Sequence, residues 1–238
     1  MTRWESLLAV QAHDTHIDQL THRADTLPQR AELATNREAV AALEARAAVV
    51  ENRRGELSRS QQRLEDEVAT LNERIGQADK RLYSGTVSNP RELQALQDDI
   101  ASLRRRIGGL EDEELEIMEL TEPVEAQTSE LAAEREALAA ETARIQAALA
   151  EAEGAVGAEL AAARAGRDEA AAGVPDDLWA EYDRLRSHLG GVAIARLVGP
   201  TCQGCHLALP AVEVDRIKRL PADEPVHCEE CGRLLVRD

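Results

Sequence analysis

The sequence predicts a mostly α protein: a long antiparallel coiled-coil hairpin followed by a small β domain organised by four cysteines. Three observations carry that expectation. Apolar residues recur alternately three and four apart over two long stretches, one on each side of residues 83–90, which is the pattern of helices packed along a narrow seam. The stretch between them, Tyr83-Ser84-Gly85-Thr86-Val87-Ser88-Asn89-Pro90, has the chemistry of a turn. The cysteines come as two Cys-x-x-Cys pairs near the C-terminal end. Composition agrees: Phe is absent, aromatics are 2% and charged residues 31%, which suits long helices better than a large globular core.

Residues 4–25 read as a first helix, with Trp4, Leu7, Leu8, Ile17 and Leu20 on its apolar face. Leu27-Pro28 interrupts it, and Asp25 or Thr26 is placed to cap a restart at Pro28. His13, His16 and His22 lack the further ligands of a metal site and read as solvated helix residues. The first arm runs from Leu33 to Leu82, and the second continues from Leu93 to Val156. Folding at the turn is expected to place Leu82 opposite Leu93, Ile75 opposite Ile100, Leu64 opposite Leu110 and Val50 opposite Val124. Asn36, Arg54 and Gln61 fall at seam positions, with Gln61 facing Glu114 and Arg54 facing Thr121. A polar layer of that kind fixes register at some cost in stability. Arg53, Arg54, Arg59 and Arg63 are expected to pair across the seam with the acidic run from Glu111 to Glu116.

The second arm opens with Asn89 as cap, Pro90 in the first helical position and Glu92 three residues after the cap, a capping-box arrangement. Pro123 leaves the sevenfold spacing of Ile117, Val124, Leu131 and Leu138 undisturbed, so a kink is expected there and not an end. Gly154 to Gly173 is rich in Ala and Gly and reads as a looser end of the hairpin. A short helix with Leu178, Trp179, Tyr182 and Leu185 follows, then a turn at Gly190-Gly191 and a strand over 192–198. The predicted domains are 1–173 for the hairpin, with its tip at 83–90, 174–191 for a connecting helix and turn, and 192–238 for the cysteine domain.

Cys202-Gln203-Gly204-Cys205 and Cys228-Glu229-Glu230-Cys231 lie on either side of 22 intervening residues. Each pair bends the backbone so that two thiolates meet one ion, and Gly204 and Gly232 are expected to supply the unusual backbone angles. Four sulfurs in a tetrahedron suit one zinc ion, held structurally because no coordination position stays open. His206 and His227 adjoin cysteines and are the alternative ligands. In a domain of about 45 residues the metal supplies much of the folding energy.

These features resemble the bacterial four-cysteine zinc-ribbon proteins in which a long N-terminal helical hairpin precedes the ribbon. The resemblance rests on Tyr83, Gly85, Asn89, Glu92, Leu93 and Leu96 at the turn, on Ala193, and on both cysteine motifs through Leu235. It implies the hairpin-plus-ribbon fold and Cys202, Cys205, Cys228 and Cys231 as zinc ligands. Some relatives are implicated in flagellar or secretion gene control, through contacts with a sigma factor or messenger RNA.

The net charge is −17, of which −12 falls in residues 83–170 (8 basic, 20 acidic), and such a chain repels a nucleic-acid backbone overall. No apolar run reaches the roughly 18 residues of a membrane helix, and the N-terminus lacks a signal-peptide pattern. A cytoplasmic, non-enzymatic adaptor or regulatory protein with a protein partner is therefore expected, acting in transcriptional or translational control. The candidate contact residues are Tyr83, Gly85 and Val87 at the turn and the outward-facing Arg104, Arg105 and Arg106 beyond it. The alternative is RNA or DNA binding through those arginines and the Arg216, Lys218 and Arg219 run of the ribbon.

Overall fold

The computed structural model describes residues 2–237. Its elements are α1 (Arg3–Asp25), α2 (Pro28–Tyr83), α3 (Pro90–Ala171), α4 (Asp176–His188), β1 (Ile194–Val198), β2 (Thr201–Cys202), α5 (Ala211–Arg219) and β3 (Leu234–Arg237). Long helices form the hairpin and a small three-stranded sheet lies towards the C-terminus, as the periodicity predicts. Two compact units are distinguished: residues 32–145, and residues 1–31 together with 146–238. Among the described residues no helix is long and apolar enough to cross a membrane.

In the unit 32–145 the seam is buried where the three-four spacing puts it. Leu71, Ile75 and Ala78 of α2 share a core with Ile100, Leu103, Ile107 and Leu110 of α3, flanked by Leu64, Val68, Leu82 and Leu96. The expected partners Ile75 and Ile100, and Leu64 and Leu110, share this core, and the register departs from the expected one only farther from the turn. Leu82 meets this core with Leu96, while Leu93 stays outside it. Further from the turn, Val50 lines a groove with Thr128 and Leu131, and Asn36 lies 3.5 Å from the Thr142 hydroxyl, which donates to it. A seam of evenly repeated apolar positions looks the same after a shift of one turn, so spacing alone does not choose.

The polar layer moves with the register. Asn36 is buried to 7% exposure, whereas Arg54 lies outside the seam, paired with Glu51 of its own helix at 3.4 Å. Among the described residues the expected pairing of Arg53, Arg54, Arg59 and Arg63 with the acidic run of α3 does not form. Arg53 pairs with Glu56 at 3.2 Å and Arg63 donates to Ser60 Oγ, because partners one turn away on the same helix are nearer. The cross-seam pairs are others, among them Arg135 with Glu44 at 2.6 Å and Arg106 with Glu67 at 3.1 Å. Helix α3 begins where expected: Asn89 Oδ1 accepts from the Arg91 N–H at 3.0 Å. The Glu92 carboxylate does not close the box but reaches Arg81 at 3.5 Å. α3 runs through Pro123 without ending.

In the other unit, α1 packs on the last turns of α3. Leu20 of α1 shares a core with Val156 and Ala163. The Ala- and Gly-rich stretch is not loose: it is helical to Ala171, and its small residues let α1 come close. A methyl at Gly166 would lie 2.5 Å from the His13 ring, and one at Gly173 2.7 Å from Ser6 Oγ. Thr26 ends α1, its N–H and hydroxyl both donating to the His22 carbonyl, and does not cap α2. Helix α4 joins α1 to the sheet: Leu178, Tyr182 and Leu185 are buried with Leu7, Val10, Ala193, Ile194, Leu234 and Val236. The strand order is β2-β1-β3, with β1 antiparallel to β2 and parallel to β3. Helix α5, absent from the sequence expectation, packs Val214 and Ile217 into the cysteine core.

Leu110 is fully buried in the hairpin core while Leu115 is exposed. Leu110→Ala should therefore cost about 2–5 kcal/mol in chemical denaturation followed by circular dichroism. Leu115→Ala should stay within about 0.5 kcal/mol.

Candidate metal centre

The two cysteine pairs sit on matching bends. In the first, the His206 N–H donates to the Cys202 carbonyl at 2.8 Å, and in the second the Gly232 N–H donates to the Cys228 carbonyl at 2.8 Å. The residue after each second cysteine takes a left-handed backbone, φ 61° at His206 and 73° at Gly232. Gly232 thus does what the sequence predicts of it, but Gly204 does not. Gly204 is required for space: a methyl there would lie 2.6 Å from Arg233 Cδ and 3.0 Å from Ala195 Cβ. Its N–H also points at Cys202 Sγ, 3.4 Å away.

The four Sγ atoms of Cys202, Cys205, Cys228 and Cys231 all lie within 4.8 Å of one another. Cys202 and Cys231 are 4.0 Å apart and Cys205 and Cys228 3.9 Å. A tetrahedral zinc with Zn–S bonds of about 2.3 Å places its sulfurs about 3.8 Å apart. A disulfide needs about 2.05 Å, so the donor set fits zinc and not a redox bridge. Burial pushes the Cys228 thiol up to about 12 and raises that of Cys202. Burial acts on Cys231 in the same sense, but hydrogen bonds from the Arg233 N–H and side chain and from neighbouring thiols bring it down to about 7. Zinc binding displaces the remaining thiol protons, so acid opposes it. His227 is turned away: its Nε2 is 2.9 Å from Glu181 Oε1. Among the described residues neither histidine joins the cluster.

The ribbon is held in place by polar groups that sequence reasoning missed. The Gln11 side chain accepts from the Ala193 N–H at 2.7 Å and donates to the Gly191 carbonyl at 2.8 Å. One turn on, Asp14 is 3% exposed and accepts from Arg167 Nε at 2.6 Å and from the Tyr182 hydroxyl at 2.7 Å. Burial, then this carboxylate, raises the Tyr182 hydroxyl well above its ordinary range. The available signal was two polar residues on the same stripe as Leu7 and Val10. Arg233 adds a last tie, donating to the Val192 and Leu189 carbonyls.

At the turn, Tyr83 is 82% exposed, Gly85 has φ 70° and Val87 is half-buried. The three arginines beyond it do face outward, but Arg104 and Arg106 lie by Asp79 (3.9 Å) and Glu67 (3.1 Å).

The CT398-like coiled coil hairpin domain matches residues 10–190 and the C4-type zinc ribbon domain residues 201–235. The chain belongs to the CT398-like hairpin family. An uncharacterized protein of Mycobacterium tuberculosis, present in strains H37Rv and CDC 1551, is 32% identical over 237 residues, 98% of this chain and 94% of its own. A solved structure from Mycobacterium smegmatis has a TM-score of 0.86 at 24% identity, covering 99% of this chain and 97% of that one. CT398 from Chlamydia trachomatis has a TM-score of 0.67 at 18% identity, covering 99% and 98%. These likenesses give the fold, and within this family the four cysteines of the present chain form a zinc ribbon with one structural ion.

One zinc per chain is expected by native mass spectrometry, lost in Cys228→Ser. Gly204→Ala should weaken zinc retention against a chelator, while Gln203→Ala, at an exposed neighbour, leaves it unchanged. Equal retention by Gly204→Ala would remove the spatial role given to that glycine.

Proposed function

We propose that the protein is a non-enzymatic adaptor or regulatory protein that binds other proteins, in transcriptional or translational control. The observation that carries this reading is the turn between α2 and α3. In a chain with only 2% aromatics, it holds an 82% exposed tyrosine at a bend fixed by local hydrogen bonds. Ser84 Oγ donates to the Arg81 carbonyl, and the Thr86 N–H donates to Ser84 Oγ. An amphipathic ring held out on a preorganised turn is a favourable contact residue, because little freedom is lost on binding. The metal centre supports the same reading from the other side. Four sulfur ligands leave no open position for substrate or water.

Nucleic-acid binding has weaker support. Arg104 and Arg106 are shared with carboxylates of α2, Arg216 with Glu213, and Tyr83 is the one aromatic near the turn, short of a stacking platform.

Affinity purification from the native cell, comparing wild type with a Tyr83→Ser, Val87→Ser double variant, tests the contact surface. Helicity should be unchanged and a specific partner should be depleted by about tenfold or more. Unchanged recovery of every partner would reduce the turn to a connector.

A further inference from the structure

The middle of the hairpin carries a surface that neither the zinc centre nor the turn explains. Residues 111–125 of α3 contain eight carboxylates and no basic residue. The cross-seam ion pairs lie to either side of them: Arg81–Glu92, Arg104–Asp79 and Arg106–Glu67 towards the turn, Arg135–Glu44 and Arg46–Glu134 away from it. Arg53, Arg54 and Arg63 of α2, which the sequence places nearby, are engaged within their own helix. Among the described residues the acidic stretch therefore has no ion-pair partner.

Within this acidic field, three large apolar side chains face solvent, Leu115 at 58% exposure, Met118 at 52% and Leu120 at 51%, and the first two lie together in one groove. Three residues apart on a helix, they share a face. With Gln61, Thr121, Glu119 and Glu122 they line a groove of about 580 Å³. A solvated charged face needs no leucine and methionine at its centre, and an apolar face that only completes the seam does not stand half in water. Like charges one turn apart also repel along α3, and a cationic partner relieves that repulsion.

We propose that this face docks a cationic amphipathic helix of another protein. Leu115 and Met118 receive its apolar stripe, Met supplying an adaptable surface, and Glu119, Glu122 and their acidic neighbours pair with lysines or arginines flanking that stripe. The proposal rests on the reading of the chain as an interaction protein but uses a surface separate from Tyr83 and Val87.

The test uses the full-length, zinc-loaded protein and a synthetic helical peptide of Lys and Leu, its leucines at i, i+3, i+4 and i+7. A peptide of the same composition with its leucines spread around the helix is the control. The striped peptide should bind with salt-sensitive affinity. Leu115→Ser with Met118→Ser, and separately Glu119→Gln with Glu122→Gln, should each weaken it by about tenfold or more, with circular dichroism unchanged. The Tyr83→Ser, Val87→Ser variant should bind it as wild type does, so that failure of the turn and failure of this face are told apart. Absence of binding, equal binding of the control peptide, or indifference to either pair of substitutions would overturn the proposal. Loss of a dimer in sedimentation on changing Leu115 and Met118 would do so as well, by assigning the face to a second copy of the chain.

Discussion

Convergence of four thiolates on one ion is the constraint on which the C-terminal part of the chain depends. The apolar core around them is small: Ala195, Leu197, Leu209, Val214, Ile217, Val226 and Leu235, with Cys202 and Cys228 themselves buried in it. So few side chains do not offset the entropy of ordering the intervening loops, and metal coordination supplies what the core lacks. The bends that deliver the sulfurs also set the sheet. Cys202 is the last residue of β2, and the Cys228 N–H donates to the Arg233 carbonyl just ahead of β3. β1 between them is tied through Ala193 to Gln11 of α1.

A second constraint follows from burial of one charge. Asp14 sits among α1, α3 and α4, where an unpaired carboxylate is costly. Arg167, Tyr182 and Arg186 converge on it, and Arg167 also stacks over Trp179, 4.9 Å from the ring centroid. The aromatic residues of α4 thus do more than fill space. They carry the polar and cationic contacts that fix α4 against α1, and through the shared core with Ile194 and Leu234 they position the sheet.

Much of this was legible in the sequence because it is local and periodic. The three-four spacing, the Asn89-Pro90 helix start and the doubled Cys-x-x-Cys motif each specify their geometry within a few residues. What was misread depends on contacts between distant segments. The register departs from the expected one far from the turn, where Val50 lies by Thr128 and Leu131, because evenly repeated seam positions look alike after a shift of one turn. Gly204 was assigned a backbone angle when its role is to admit Arg233, a neighbour 29 positions on. The glycines and alanines after Gly154 read as loose for want of any sign that α1 lies against them. Asp14 and Gln11 were passed over because a polar residue on an apolar stripe announces a partner without naming it.

The hairpin separates two kinds of surface by charge. Around the turn, arginines are matched to carboxylates of the facing helix, while in the middle of α3 acid is left unmatched beside exposed leucine and methionine. The zinc centre, by contrast, contributes shape and no reactivity, provided its coordination is closed. X-ray absorption at the zinc edge measures that directly on the intact protein. Four sulfur neighbours at about 2.3 Å and no lighter ligand are expected of a structural ion. A nitrogen or oxygen neighbour at about 2.0–2.1 Å in place of one sulfur would mean an open or substituted site, and would contradict a purely structural role for the metal.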